Sequence, residues 1–200
     1  KVANLKWIEG GKNGVTLDAP KGLAIQNGVL YVADITRVRL FDLATGAPKG
    51  VMHVHSSPMV MARAAGQDRI GIREGDVVFS AAKLFFSYGL GNAIFCPMSV
   101  GATSVLYPER PTPQTVFETL RGYQPTQFYA VPTLYAAMLA DEECAQEKGY
   151  SRLRLCFTAG EPLPAHVGAA WKERFGLDIV NGVGSTEMGH LYLTNVPNSV

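Results

Sequence analysis

The chain has little cysteine, no excess of either charge and no long apolar run. Its three cysteines, Cys96, Cys144 and Cys156, are widely spaced and odd in number, without a metal-ligand pattern, so we expect buried, reduced thiols in a cytoplasmic protein. Eighteen basic against 17 acidic residues, with no basic run, argue against nucleic acid or an anionic membrane as a partner. No apolar run approaches the roughly 18 residues that span a bilayer, and the first residues lack a leader pattern.

The hydrophobic content, 47% of 200 residues, is sufficient for a buried core. The chain begins at Lys1 without Met and ends at Val200 soon after a motif, so we expect an excerpt of a longer protein. The residue pattern of 1–46 predicts strands only, at 29–33 and 37–41, because it shows no helical periodicity of apolar residues.

After Val51 predicted strands alternate with predicted helices. The strands are at 76–80, 103–107, 127–131, 153–158 and 178–180, and the helices at 56–68, 91–100, 113–123, 132–140 and 164–175. This alternation predicts an α/β fold of βαβ units, with a mainly parallel sheet covered on both faces. Ligands of such sheets lie beyond the carboxyl ends of the strands, where functional residues are to be sought.

Residues 45–50 have the content of an anion-binding loop. Gly46 and Gly50 would let backbone N–H groups approach phosphate oxygens, with the hydroxyl of Thr45 and the ammonium of Lys49 beside them. The same stretch suits the turn of a β-hairpin. Taken alone, it favours that turn.

Two further glycine-containing motifs follow predicted strands. In residues 158–164, Gly160 permits close backbone approach to a flat ligand, and Glu161 stands at the predicted start of the next helix. Residues 181–188 combine two glycines, two hydroxyls and a carboxylate, which suits a polyphosphate with its Mg²⁺. By spacing alone an ordinary loop is favoured for the first motif, and a glycine-rich turn explains the second equally well.

The histidines and one aromatic run give weaker indications. His190 lies among apolar neighbours, a setting more typical of a structural histidine than of a ligand-binding one. His53 and His55 would share one face of an extended segment, but without a third ligand no metal site is predicted. The run 85–88 is expected to pack in the core, with Tyr88 as the member that could line a pocket.

Taken in order, the motifs of residues 45–200 resemble the adenylate-forming acid–CoA ligases, most closely the benzoate-CoA ligase group. The matching segments are 45–50, 71–80, 82–92, 131–135, 158–164 and 184–188. The resemblance implies a partial large-domain sheet, an AMP-binding or adenylation domain. It also implies that an aryl carboxylate reacts with ATP to give an acyl-adenylate and pyrophosphate, and that the acyl group then passes to coenzyme A. The implied cofactors are ATP, Mg²⁺ and coenzyme A, and the oligomeric state is left open.

The resemblance assigns roles to individual residues. The attack of an anionic carboxylate on an anionic phosphate requires charge shielding, and the catalytic residues assigned to it are Lys49, Thr186 and Glu187, with Glu187 helping to hold Mg²⁺. The other ATP-binding residues are Thr45, Gly46 and Gly50 at the phosphates, Gly160, Glu161 and Pro162 on one side of the adenine, and Asn181, Gly182 and Val183 on the other. The aryl-acid pocket is assigned to Ser87, Tyr88, Gly184, His190 and Leu191. Differences from relatives are expected at Ser87 and Leu191, so the identity of the aryl acid stays open.

Residues 1–44 resemble instead part of a β-propeller of the gluconolactonase-like or NHL-repeat kind. The resemblance lies in residues 20–25, 30–34 and 38–42. A propeller needs several blades to bury its sheets, so this fragment cannot close a ring. The expected domains are therefore a propeller-like segment at 1–44 and a partial AMP-binding domain at 45–200. Three alternatives stay open: a ligase fragment with a foreign beginning, a non-catalytic propeller-type binding module, and an artefactual fusion.

The chain departs from the ligase pattern in front of the phosphate loop. An apolar and acidic run at 38–44 stands where the family has a strand and a Ser/Thr/Gly-rich run, and Asp42 would repel phosphate. The chain also stops before the family's ribose-binding Asp and its C-terminal domain with the adenylation Lys. We therefore expect no adenylation by these 200 residues alone, and poor solubility from uncovered sheet edges.

Overall fold

A computed structural model describes residues 22–26, 29–34, 37–42, 50–142 and 150–195. The chain divides into two compact units, Lys1–Met52 and His53–Val200. Among the described residues, no helix is long and apolar enough to cross a membrane.

The described part of the first unit is a three-stranded antiparallel sheet. Its strands are β1 (Gly22–Gln26), β2 (Val29–Asp34) and β3 (Arg37–Asp42), in the order β1-β2-β3. The predicted strands at 29–33 and 37–41 are confirmed, each with one further residue. The hairpin turn considered at residues 45–46 lies outside the described residues.

The second unit contains a six-stranded sheet that confirms the α/β prediction. Its strands are β4 (Val77–Ser80), β5 (Thr103–Val105), β6 (Gln127–Ala130), β7 (Leu155–Ala159), β8 (Ile179–Gly184) and β9 (Leu191–Thr194). The order across the sheet is β5-β4-β6-β7-β8-β9. The first five strands are parallel, and β9 pairs antiparallel with β8.

Helices precede and connect the parallel strands. They are α1 (Ser57–Met61), which continues as a first π-helical segment (Ala62–Ile70); α2 (Ser87–Leu90), which continues through a second π-helical segment (Gly91–Phe95) into α3 (Cys96–Val100); α4 (Pro113–Tyr123); α5 (Pro132–Leu139); and α6 (Ala165–Phe175). π-helical turns are uncommon and are often found at functional sites.

The helices cover both faces of this sheet, as the alternation predicted. Successive strand side chains point to opposite faces, so Phe128 and Cys156 enter one hydrophobic cluster while Tyr129 and Phe157 enter another. Residues of α4, α5 and α6 pack into the first cluster. Residues of α2, α3 and the first π-helical segment pack into the second.

A buried carboxylate network fixes the amino end of the parallel strands. Asp76, 2% exposed, accepts hydrogen bonds from the hydroxyl of Thr126 at 2.7 Å and the side-chain amide of Gln127 at 3.0 Å. The guanidinium of Arg154 donates to both carboxylate oxygens, and the Arg73 backbone N–H donates at 3.0 Å. Burial acts to raise the pKa of Asp76, but the hydrogen bonds from Arg154, Thr126 and the Arg73 backbone, together with the Arg154 charge, outweigh it and leave that pKa below its usual value.

Several local predictions are corrected. Residues 181–184 form part of β8 rather than a loop after it, and β9 was not predicted. The helix expected at 91–100 begins earlier, at Ser87. Ser56 before Pro58 predicts a hydroxyl cap for α1, but the Ser56 hydroxyl makes no cap hydrogen bond there.

The run 85–88 does not pack wholly in the core. Phe85 is 77% exposed and contacts the ring of Phe86 at a centroid distance of 4.5 Å, because it lies in the loop before α2. The thiols of Cys96 and Cys156 are free and buried, as expected. Burial raises the pKa of each to about 12, and Cys144 lies outside the described residues.

Candidate active site

Two adjacent strands place unpartnered polar atoms at the carboxyl edge of the sheet. Thr158 on β7 lies opposite Asn181 on β8, and Ala159 lies opposite Gly182. The Thr158 hydroxyl and the Asn181 side-chain oxygen are buried without a hydrogen-bond partner among the described residues. Because buried polar atoms normally find a partner, this pair is suited to bind a polar, flat ligand.

The loop after β7 leaves its backbone accessible. Gly160 has a φ of +90°, is exposed, and has no atom within 4 Å of where a Cβ would lie. Glu161 is half-buried and Pro162 is exposed. Glu161 does not stand at the start of a helix as predicted, because α6 begins only at Ala165.

Tyr88 forms one wall of a second cluster of predicted residues. Its hydroxyl donates to the Phe157 backbone carbonyl at 3.1 Å. Its ring lies 6.2 Å from that of His190 and 6.4 Å from that of Tyr129, measured between centroids. Burial raises its pKa well above the ordinary value, against a smaller opposing effect of the Asn92 side chain, so the phenol is neutral.

His190 is 1% exposed and only half satisfied. Its Nε2 lies 2.9 Å from the Asn92 side-chain oxygen, while its Nδ1 has no hydrogen-bond partner among the described residues. Burial lowers its pKa to about 4, against a smaller opposing effect of the Tyr88 backbone. The expectation of a satisfied structural histidine is therefore wrong in part, since a neutral imidazole keeps one buried nitrogen without a partner.

Close backbone contacts hold this histidine in place. A Cβ at Gly184 would lie 2.5 Å from the His190 carbonyl oxygen, and Leu191 lies opposite Gly184 at a bulge in the β8–β9 pairing. The Leu191 side chain packs against Gly182, because a Cβ at Gly182 would lie 2.9 Å from the Leu191 side chain. Ser87, half-buried, begins α2 beside Tyr88.

Thr186 and Glu187 lie in an exposed turn between β8 and β9. The Gly189 backbone N–H donates to the Thr186 carbonyl at 3.0 Å, and Nε2 of His53 lies 2.6 Å from the same oxygen. Among the described residues, no three His, Cys, Asp or Glu side chains could hold a metal ion together. One exposed carboxylate beside a hydroxyl nevertheless fits Mg²⁺, which is commonly held by one or two carboxylates together with phosphate oxygens and water.

The predicted phosphate loop cannot be placed against this site. Thr45, Gly46 and Lys49 lie outside the described residues. Gly50 is exposed, with open space around it, and belongs to the first unit. Val183, predicted beside the adenine, is exposed at the end of β8.

Sequence reasoning missed Asn92, Tyr129 and Phe157. Asn92 follows Tyr88 by four residues in one continuous helical run, and residues at that spacing share a helix face. The helix was predicted to begin only at Gly91, so this relationship was hidden. Tyr129 and Phe157 occupy neighbouring strands, and only the sheet order could bring them to Tyr88.

A family profile described as "AMP-binding enzyme" matches residues 44–199. The chain belongs to this AMP-binding enzyme family. Its fold agrees with that of the benzoate CoA ligase from Burkholderia xenovorans LB400, with a TM-score of 0.73 and 47% identity over 76% of this chain and 31% of that one. The resemblance of residues 1–44 to a β-propeller receives no support from these comparisons.

Two relatives of known activity are similar to this family member. The 4-hydroxybenzoate–CoA/benzoate–CoA ligase of Rhodopseudomonas palustris is 73% identical over 156 residues, 78% of this chain. The benzoate–CoA ligase of Thauera aromatica is 59% identical over 152 residues, 76% of this chain. The matched part spans 29% of the length of each relative.

Proposed function

We propose that the chain is part of an ATP-dependent aryl-acid–CoA ligase acting on benzoate or a ring-hydroxylated benzoate. The observation that carries this proposal is the cluster of Tyr88, Gly184, His190 and Leu191, in which Gly184 follows Asn181 of the unpartnered Thr158–Asn181 pair by three residues on β8. The 73% identity to a ligase that acts on benzoate and 4-hydroxybenzoate supports it.

The aryl ring would lie against Tyr88 and His190. Both side chains are uncharged near neutral pH, because burial raises the pKa of one and lowers that of the other. An uncharged wall admits an apolar ring without leaving a buried charge unpaired. A side chain at Gly91 would displace the imidazole of His190, and one at Gly184 would collide with the His190 backbone.

The nucleotide would lie across the carboxyl ends of β7 and β8. The Thr158 hydroxyl and the Asn181 amide oxygen, buried without a partner among the described residues, would be available to the adenine, which Gly160 to Pro162 and Gly182 and Val183 would border. Thr186 would contact phosphate, and Thr45, Gly46, Lys49 and Gly50 would hold the β- and γ-phosphates.

In the proposed reaction, a carboxylate oxygen of the aryl acid attacks the α-phosphorus of ATP and pyrophosphate leaves. Mg²⁺, held in part by Glu187, would neutralise phosphate charge when bound. The coenzyme A thiol, giving up its proton, then attacks the acyl carbon and AMP leaves. The residues described here bind and orient the acid and the nucleotide, so that the carboxylate and the α-phosphate meet in a fixed geometry.

We assign this activity to residues 45–200 and regard residues 1–44 as a separate segment. The start of the family match at residue 44 supports that boundary. The buried thiols of Cys96 and Cys156 suit a reducing, cytoplasmic setting.

Calorimetry with two non-hydrolysable adenylate analogues tests the proposal. The benzoyl-sulfamoyl adenosine should bind the chain at least about tenfold more tightly than the acetyl analogue, because the aryl ring adds buried apolar area. Gly122→Ala, an exposed change in α4 with open space around it, is the matched control and should leave both affinities unchanged. Equal affinity for the two analogues would refute an aryl-acid site.

A further inference from the structure

Asn92 holds one nitrogen of His190 from within the core. It lies in the second π-helical segment, four residues after Tyr88, and is 1% exposed. Its side-chain oxygen is 2.9 Å from Nε2 of His190. Its own Nδ2 has no hydrogen-bond partner among the described residues.

The chemistry of an amide oxygen determines which nitrogen of the imidazole carries the proton. A neutral imidazole has one N–H donor and one acceptor nitrogen. The oxygen of Asn92 can only accept, so Nε2 is the donor and Nδ1 keeps its lone pair. That lone pair is buried and unpartnered, an arrangement that natural proteins seldom leave without a ligand or water.

We propose that Asn92 is a positioning residue of the aryl-acid site. It holds His190 as a single neutral tautomer protonated at Nε2, so that Nδ1 accepts a hydrogen bond from a ring hydroxyl of the bound acid. The substrate part of this inference rests on the proposed function, whereas the tautomer part does not. The site would therefore favour hydroxybenzoates over methylbenzoates of nearly the same shape.

The tautomer of the His190 imidazole can be measured without a bound ligand. In the 200-residue chain labelled with ¹⁵N-histidine, long-range ¹H–¹⁵N spectra at pH 7.5 should show Nε2 of His190 protonated and Nδ1 unprotonated. Asn92→Leu should give a mixture of tautomers or the Nδ1–H form. Asn92→Asp, whose carboxylate also accepts, should restore the Nε2–H form.

A matched control separates this effect from general loosening of the core. Gln67→Leu removes another partly buried amide, whose hydrogen bond goes to Ser99, and should leave the His190 spectrum unchanged. The positioning role would be overturned by any of three results. The parent chain could show the Nδ1–H tautomer, it could show averaged tautomers from a mobile ring or an unfolded chain, or Asn92→Leu could leave the spectrum unchanged.

Matched hydroxyl and methyl ligands test whether Nδ1 of His190 accepts a hydrogen bond from the bound acid. Sulfamoyl adenosines carrying the three hydroxybenzoyl isomers should be compared with their methyl counterparts, and at least one hydroxyl isomer should bind about fivefold more tightly, the worth of one hydrogen bond. Asn92→Leu should remove that preference while retaining the weaker binding of the methyl compounds. Absence of any preference for hydroxyl refutes the acceptor, whereas failure of every aryl analogue to bind refutes the proposed function and leaves the tautomer result standing.

Discussion

The imidazole of His190 lies directly on the backbone of Gly91. A Cβ added at Gly91 would come within 1.6 Å of the ring's Cδ2 and 2.4 Å of its Nε2. The ring therefore occupies the space that any side chain at residue 91 would need. This contact fixes the distance between α2 with its π-helical continuation and the turn that precedes β9.

Gly91→Ala is expected to displace His190 and impair the aryl-acid site. Alanine favours a helix by about 1 kcal/mol over glycine, but the overpacked ring should cost about 1–3 kcal/mol. Urea unfolding should show a net loss of stability, and binding of the benzoyl-adenylate analogue should weaken at least about tenfold, because the aryl wall has moved. Gly122→Ala, in open space on α4, should be neutral or stabilising. Unchanged ligand binding in Gly91→Ala would contradict the contact.

The burial of His190 predicts a loss of stability in mild acid. Its pKa falls from 6.5 in the unfolded chain to about 4 in the folded one, so the unfolded chain takes up the proton first as pH decreases. Above about pH 6.5 the free energy of unfolding is not reduced by protonation of His190. It declines as pH falls from there toward 4, by about 2 kcal/mol at pH 5.

Urea unfolding of the parent and of His190→Asn at pH 8 and pH 5 measures this contribution. The variant should lose less stability between these two pH values than the parent. His166→Asn, an exposed position on α6, should follow the parent. Equal pH dependence of the parent and His190→Asn would show that the imidazole is not buried as described.

Asp76→Ala should be among the most destabilising polar substitutions. It leaves the donors of Thr126, Gln127 and Arg154 without their shared carboxylate, at a cost of about 3 kcal/mol. Its lowered pKa further predicts that this contribution is present above pH 3.8 and is lost as pH falls below that value.

The control for Asp76 is an ion pair whose lysine is open to solvent. Lys172 lies 2.9 Å from Asp178, and the exposed fractions of the two side chains are 51% and 9%. Lys172→Gln removes only the solvated partner and should therefore cost less in chemical denaturation than Asp76→Ala. If both variants unfold at the same urea concentration, the network around Asp76 does not stabilise the sheet as described.

Two tyrosine hydroxyls donate to the same carbonyl, and their removal should reduce stability by different amounts. The hydroxyls of Tyr88 and Tyr135 both donate to the Phe157 carbonyl at 3.1 Å, and Tyr135 also donates to that of Phe128 at 3.2 Å. Tyr88→Phe should cost at most about 1 kcal/mol, since the Phe157 carbonyl keeps a donor, and Tyr135→Phe should cost more. Thermal unfolding of both variants checks the order, and the reverse order would contradict these contacts.

The sequence predicted elements best where several local signals agree. α4 was predicted with the observed bounds, because Val116, Phe117 and Leu120 recur on one face, which is buried. The structure adds a capping box of Thr112 and Thr115 at its start. The strand β8 was predicted too short, since glycines normally indicate a loop, whereas here Gly182 and Gly184 pair within the sheet. The strand β9 is short and partly exposed, and its pairing with β8 is a tertiary contact without a local signal.

The family resemblance grouped residues of the candidate site without indicating their mutual contacts, and their binding roles stay predictions. Tyr88, Gly184, His190 and Leu191 were named from family resemblance, and the structure brings them together. Asn92 could not be singled out, because its partner is 98 residues away. The roles of Thr45, Gly46 and Lys49 at the phosphates stay predictions.

The most direct test of the account is the position of a benzoyl-adenylate analogue on this chain. Intermolecular nuclear Overhauser effects between ligand protons and the labelled protein report which side chains lie within about 5 Å. We expect the benzoyl protons to contact Tyr88 and His190, and the adenine protons to contact Thr158 and Gly160. Benzoyl contacts with other residues, or no binding at millimolar concentration, would contradict an aryl-acid adenylation site.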